Sequence, residues 1–286
     1  MPPVCLSSSF FGGLTGKESM NLPEVTVKDL LEAGVHLGHK TFRWNPKMKK
    51  YIFGEKNSIH IIDLSKTLEL LKNALVELHK SVSSGGKVLF VSTKKQASEL
   101  IADVAKETDN YYVNFRWLGG MLTNWNTISK SIKRLKNLKK NLLEEDSGFT
   151  KKELIKMNLE KEKLERSLGG ISEMKKLPNI IFVIDTNIES LAILEAKKLN
   201  IPIIGILDSN SDPDNINFPI PGNDDARRSI NLYCDLIKKT IIDAKKNIKI
   251  LVKDDRPEKI KENQSEKNKI TINKNDINSK TFKGKK

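Results

Sequence analysis

The chain has 286 residues, enough for one large domain or two smaller ones, and its 50 Lys and Arg against 36 Asp and Glu leave a formal charge of +14. Two cysteines rule out a disulfide framework and fit a reducing compartment, and four histidines leave little scope for metal or acid–base chemistry. No apolar run reaches the ~18 residues of a membrane helix, and the basic excess points to a polyanionic partner whose phosphates release counterions on binding.

Residues 1–19 are rich in Ser, Gly and Pro and show no period, so they read as a disordered extension or a mis-called start ahead of Met20. They have neither the basic start of a secretory signal nor the arginines of a transit peptide. Gly12-Gly13-Leu14-Thr15-Gly16-Lys17 falls short of a phosphate loop: the glycine spacing is too short, and Glu18 follows the lysine. A short amphipathic helix is predicted over 27–37, with Leu30, Leu31 and Val35 inward. The next stretch, His39 to Tyr51, interleaves basic and aromatic side chains around Pro46. Short strands are predicted at 51–53 and 59–62 around a turn at Gly54-Glu55-Lys56-Asn57. Leu64, Leu68, Leu71, Leu75, Leu78 and Val82 then mark one face of a long helix that Gly85-Gly86 ends.

Val88–Val91, Ile180–Ile184 and Ile203–Leu207 are fully apolar runs, the first two followed directly by helical stretches and the third reached through a helix and Pro202. Strands of this kind alternating with helices predict a parallel sheet covered on both faces, an α/β fold. Thr93-Lys94-Lys95-Gln96 is read as a capping box. Between these units, Ile128, Ile132, Leu135, Leu138 and Leu142 recur at helical spacing. After a turn at Ser147-Gly148-Phe149 and a second capping box at Thr150 and Glu153, Leu154, Met157, Leu164, Leu168 and Ile171 recur in heptad register, interrupted by Lys161. Two such helices predict an antiparallel coiled-coil hairpin inserted at 128–171, projecting as an arm from an α/β domain made of 20–127 and 172–248. Residues 249–286 read as a disordered basic tail.

The carboxyl ends of parallel strands are where such sheets bind ligands. No Gly-x-Gly-x-x-Gly follows Val88–Val91 or Ile180–Ile184. Thr93, Lys94 and Lys95 are read as a cap with solvated lysines, and Asp185 as a helix-capping residue. Asp208, Asn210, Asp212 and Asp214 alternate as in a calcium loop but lack its glycine and closing glutamate, so an acidic turn is expected. His36 and His39 are spaced for one helical face without further ligands nearby, and no metal, cofactor or nucleophile is assigned. Arg116-Trp117-Leu118-Gly119-Gly120-Met121-Leu122-Thr123-Asn124-Trp125 stands out as a shaped surface with residue types suited to irregular RNA, although Trp117 fits a core corner equally well.

The sequence resembles the bacterial small-subunit ribosomal protein S-two family. The carrying stretches are Leu31 through His39, Trp44-Asn45-Pro46-Lys47-Met48, Phe53-Gly54 with His60-Ile61-Ile62, and Arg116 through Trp125. Ser167-Leu168-Gly169-Gly170-Ile171, Pro178 through Asp185, Asn210 through Asp214 and Ile220 through Ala226 complete them. The resemblance covers about residues 21–247. It implies a flavodoxin-like α/β domain with an inserted coiled-coil hairpin and a structural, non-catalytic role. It also implies binding to small-subunit ribosomal RNA near the head–body junction, and help in docking the OB-repeat ribosomal protein numbered one, which captures messenger RNA. Neighbouring ribosomal proteins would be further partners, and the bacterial ribosome in the cytoplasm the location. No membrane and no small-molecule substrate is expected.

RNA contacts are expected from His39, Lys40, Arg43, Trp44, Lys47, Lys49, Lys50, Lys94, Lys95, Arg116, Asn124, Arg227 and Arg228. Contacts to a protein partner are expected from Lys136, Lys139, Lys140 and Lys156 on the hairpin. On the residues alone, a basic flavodoxin-like enzyme or nucleotide-binding module remains the alternative.

Overall fold

Five parallel strands form the centre of the protein: β4 (Val88–Val91), β5 (Tyr111–Val113), β6 (Ile180–Ile184), β7 (Ile203–Leu207) and β8 (Phe218–Pro221), in spatial order β5-β4-β6-β7-β8. Counted within this sheet the order is 2-1-3-4-5, the flavodoxin-like winding. The structure, a computed structural model, describes residues 21–143 and 150–254. The expected extension 1–19, the turn at 147–149 and residues 255–286 of the tail lie outside them.

The predicted apolar runs became β4, β6 and β7, buried along their whole length. Their side chains alternate between two cores, as a period of two requires. Val88, Phe90, Ile180, Phe182, Ile184, Ile204 and Ile206 face one core, with α2 (Leu64–Ser83), α3 (Lys95–Glu107) and α7 (Arg227–Asp254). Leu89, Val91, Ile181, Val183 and Ile203 face the other, with α6 (Ser190–Lys198) and with Ile128, Ile132 and Leu168. Each face therefore has its helical cover, as a parallel sheet demands.

Ile128 and Ile132 belong to α4 (Trp125–Asn141) and Leu168 to α5 (Lys151–Leu168), so both helices are rooted in the second core at one end. Away from that root they pack on each other and are joined by Arg134–Glu160 and Lys139–Glu165 ion pairs. The capping box at Thr150 and Glu153 is present, with both reciprocal hydrogen bonds. α7 continues to Asp254, past the boundary at 248 expected for the tail.

Several local expectations are corrected. Helix α1 (Val27–Glu32) stops early, because Gly34 adopts φ 77°, and the chain turns into a strand, β1 (Leu37–Lys40). Leu30 and Val35 are buried as expected, while Leu31 is exposed. The hairpin turn lies at Asn57 and Ser58, both with positive φ, and Gly54 sits inside β2 (Ile52–Lys56) rather than in the turn. β1, β3 (Ile59–Ile62) and β2 form a small antiparallel sheet in that order. At the end of β4 there is no capping box: α3 starts at Lys95 without a side-chain cap, and the Thr93 N–H donates instead to Glu189 (2.7 Å).

Candidate nucleic-acid interface

The carboxyl ends of β4 and β6 flank the point where the winding reverses, the place at which this architecture usually holds a ligand. Here that crevice is filled by the protein itself. The Lys94 ammonium, on a side chain only 11% exposed, lies 2.8 Å from Asp185, 2.8 Å from Asp224 and 2.7 Å from Asp225. Burial works against its charge, but Asp224 and the hydrogen bonds to all three carboxylates outweigh it and hold its pKa above the ordinary lysine value. Burial pushes the Asp224 carboxyl up to about 7, with Asp185 and Asp208 adding to the rise and Lys94 opposing it. Lys94 is thus an internal counter-ion rather than the solvated lysine of a helix cap. Asp185 does cap the following turn, accepting from the N–H of Asn187 and Ile188.

Around this ionic centre the structure gathers the expected basic segments. His39, at the end of β1, places Nδ1 2.8 Å from Asp208 and Nε2 3.4 Å from Asp225. The bond to Asp208 raises the imidazole pKa, against partial burial. Because Asp225 reaches both His39 and Lys94, the 39–50 segment, the start of α3 and the start of α7 converge at one end of the sheet. Lys95, Arg227 and Arg228 are exposed there, Arg227 with Glu99 at 3.5 Å.

The 39–50 segment is anchored rather than loose. Asn45 N–H donates to the Ser209 carbonyl, Asn45 Oδ1 accepts from the Lys47 N–H, and Met48 and Tyr51 are buried beside Leu207. Pro46 opens a 3-10 turn, where its fixed φ fits. Lys40, Arg43, Lys49 and Lys50 are exposed, with Phe42 73% exposed and Trp44 tilted on His60. Lys47 is engaged by Asp212 and Asp214, both in the expected acidic turn. A shallow cavity of about 390 Å³ opens between His39, Lys40, Phe42, Arg43, Asn223 and Asp225.

The loop after β5 divides its residues. Trp117 is buried in the second core, and its indole N–H donates to Glu195, so the core-corner alternative holds for this side chain. Arg116 and Asn124 are exposed at the same end of the sheet as the 39–50 segment. Lys136 and Lys139, on α4, pair with Glu173 and Glu165, and Lys140 and Lys156 are exposed on α4 and α5.

A matching family model, described as ribosomal protein S2, spans residues 30–244. The chain belongs to the ribosomal protein S2 family. It is 60% identical over 224 residues to the small ribosomal subunit protein uS2 of Sinorhizobium medicae and equally to that of Rhizobium meliloti, covering 78% of this chain and 88% of each relative. The protein of the same name from Agrobacterium fabrum is 58% identical over the same length. The S2 family is structural and non-enzymatic, in keeping with a switch-point crevice filled by ion pairs.

The S2-family stretches now have physical reasons. Gly170 must be glycine because a Cβ would meet the Tyr112 carbonyl at 2.1 Å, and Gly222 because it would meet the Tyr233 hydroxyl at 2.0 Å. The sequence reading missed one donor set. Ligand atoms of His39, Asp208, Asp224 and Asp225 lie within 4.8 Å of one another, but the Lys94 ammonium already holds Asp224 and Asp225, and His39 is bonded to Asp208, so the cluster is neutralised from within. His36 takes no part in that set, because these residues sit at the ends of separate elements rather than on one helix. The signal was Asp208 directly after β7 and Asp224-Asp225 shortly after β8, which a search for local spacing does not register. Glu195 was missed for the same reason: its partners Trp117 to Thr123 lie more than 70 residues away in sequence.

Proposed function

We propose that the chain is a structural constituent of the small ribosomal subunit that binds its ribosomal RNA through the surface at the carboxyl end of the sheet. One observation carries the reading. The anchored 39–50 segment presents Lys40, Arg43, Lys49 and Lys50 with exposed Phe42 and Trp44, and contains no acidic residue. Fixed cations beside exposed rings suit phosphate contact together with stacking of unpaired bases, worth about 1–3 kcal/mol per base. Lys95, Arg116, Asn124, Arg227 and Arg228 extend this surface. His39, Lys47 and Lys94 hold it in shape through their carboxylate partners.

The named relatives are small-subunit proteins, which supports assigning the chain to the bacterial ribosome in the cytoplasm. The family resemblance supports a place near the head–body junction and a part in docking the OB-repeat protein numbered one. α4 and α5 then act as an arm whose lysines, Lys136, Lys139, Lys140 and Lys156, meet a protein partner. Sedimentation of the full chain with small subunits lacking it tests the reading: salt-sensitive co-sedimentation supports it, and its absence refutes it. The arm's role is read by retention of the OB-repeat protein on subunits carrying charge-reversed Lys140 and Lys156.

A further inference from the structure

Glu195 lies on α6, outside the stretches that carry the family resemblance, yet its carboxylate organises the loop between β5 and α4. Oε1 accepts from the Trp117 indole N–H (3.1 Å) and the Gly120 N–H (2.7 Å). Oε2 accepts from the Leu122 N–H (3.0 Å), the Thr123 N–H (3.1 Å) and the Thr123 hydroxyl (3.1 Å). Three backbone N–H groups, an indole and a hydroxyl converging on one carboxylate make a nest of the kind that elsewhere binds a free anion. The loop reaches this shape only because Gly120 adopts φ 82°. Burial alone would raise the Glu195 pKa, but the donors of Thr123, Leu122, Trp117 and Gly120 outweigh it and hold the carboxyl below its ordinary value.

We propose that Glu195 is a positioning residue for RNA binding: by filling this nest as a built-in anion it fixes the loop that carries Arg116, and the base of α4 beginning at Asn124, in their RNA-contact geometry. The proposal rests on the RNA reading above. Without the carboxylate, Gly120, Leu122 and Thr123 would turn their N–H groups to water, and Arg116 would lose the fixed backbone from which it projects. A prefolded loop also lowers the ordering cost of binding. With the nest occupied from inside, RNA phosphate is left to the outward arginine. A glutamine cannot replace this residue, because its amide nitrogen would face donors rather than accept from them.

The test uses the full chain as wild type, Glu195→Ala, Glu195→Gln and Arg116→Ala, with small-subunit ribosomal RNA as the ligand. NMR reads the Trp117 indole N–H and the Gly120 and Leu122 amides, and filter binding reads affinity. Both Glu195 variants should shift those resonances and weaken RNA binding roughly tenfold, the loss of about one charge-assisted hydrogen bond. Sodium acetate, against sodium chloride at equal ionic strength, should restore both signals in Glu195→Ala, where the space for a carboxylate is open. It should restore neither affinity in Arg116→Ala nor the loop in Glu195→Gln. If Glu195→Ala fails to fold, Glu195→Gln, closest in volume, carries the same comparison without the rescue. Unchanged resonances in the Glu195 variants would overturn the nest. Wild-type affinity in them beside a weakened Arg116→Ala would overturn positioning while leaving the RNA reading intact. Wild-type affinity in Arg116→Ala would remove RNA from this loop, and with it the proposal's purpose.

Discussion

Lys94 and Asp185, at the carboxyl ends of neighbouring strands β4 and β6, lie 2.8 Å apart with side chains 11% and 8% exposed. Their ion pair closes the crevice that gives this architecture its usual ligand site. Asp224, whose side chain is 1% exposed, completes the buried part of the cluster. A buried pair is a weak source of net stability, but removal of one partner strands the other. Lys94→Met should therefore destabilise the fold by about 3–5 kcal/mol, because it leaves Asp185 and Asp224 facing each other without a cation. Urea unfolding in a chelating buffer measures this. A loss under about 1 kcal/mol would show that water already relieves the carboxylates.

The parts of the fold that were legible in the sequence are those whose pattern is local. β4, β6 and β7 are buried on both sides, so they appear as unbroken apolar runs, and α2 shows its inward face at regular steps. The edge strands escaped. β5 is three residues long, and β8 reads Phe218-Pro219-Ile220-Pro221, in which two prolines are tolerated only at a sheet edge. β1 escaped as well, because Leu37 reads as the end of the preceding helix and His39 and Lys40 as the start of the basic, aromatic stretch. At the site, the exposed bases of 39–50 could be read directly. The carboxylates that hold Lys47 and Lys94 could not, since Asp185, Asp212, Asp214, Asp224 and Asp225 meet them only after the chain has crossed the sheet.

Gly169 and Gly170 are adjacent but not equivalent. A Cβ at Gly170 meets the Tyr112 carbonyl at 2.1 Å, whereas one at Gly169 meets only the Glu165 side chain at 3.6 Å. Gly170→Ala should cost roughly 1–3 kcal/mol through displacement of β5. Gly169→Ala should be neutral or slightly stabilising, because its φ of −54° is helical. Thermal denaturation of the two variants side by side checks this, and equal effects would contradict it.

Cys234 is 1% exposed in α7, and burial pushes its thiol pKa up to about 12. Only the thiolate reacts with alkylating reagents, so the thiol should resist iodoacetamide at pH 8 in the folded chain and react freely in guanidinium. Mass spectrometry of digested peptides distinguishes it from Cys5. Rapid labelling under native conditions would mean that α7 opens on the experimental timescale.

The paired helices α4 and α5 add few groups to either core beyond Ile128, Ile132, Leu164 and Leu168. Replacement of residues 136–161 by a short Gly-Ser turn should leave a cooperative unfolding transition. It should also leave the Trp117–Glu195 resonance in place. Loss of cooperativity would mean that the distal helices support the sheet.

The most direct measurement of the central claim is the salt dependence of binding to small subunits lacking this protein, for wild type and for the triple variant Arg43→Ala, Lys49→Ala, Lys50→Ala. Lys47 is left intact because Asp212 and Asp214 already hold it. Each lost phosphate contact should flatten the log–log slope by about 0.7–0.9, with weaker binding. Stability should shift by no more than ~0.5 kcal/mol, since the replaced groups are exposed. Wild-type affinity and slope in a folded triple variant would contradict the account, and the 39–50 segment would then be a solvated surface.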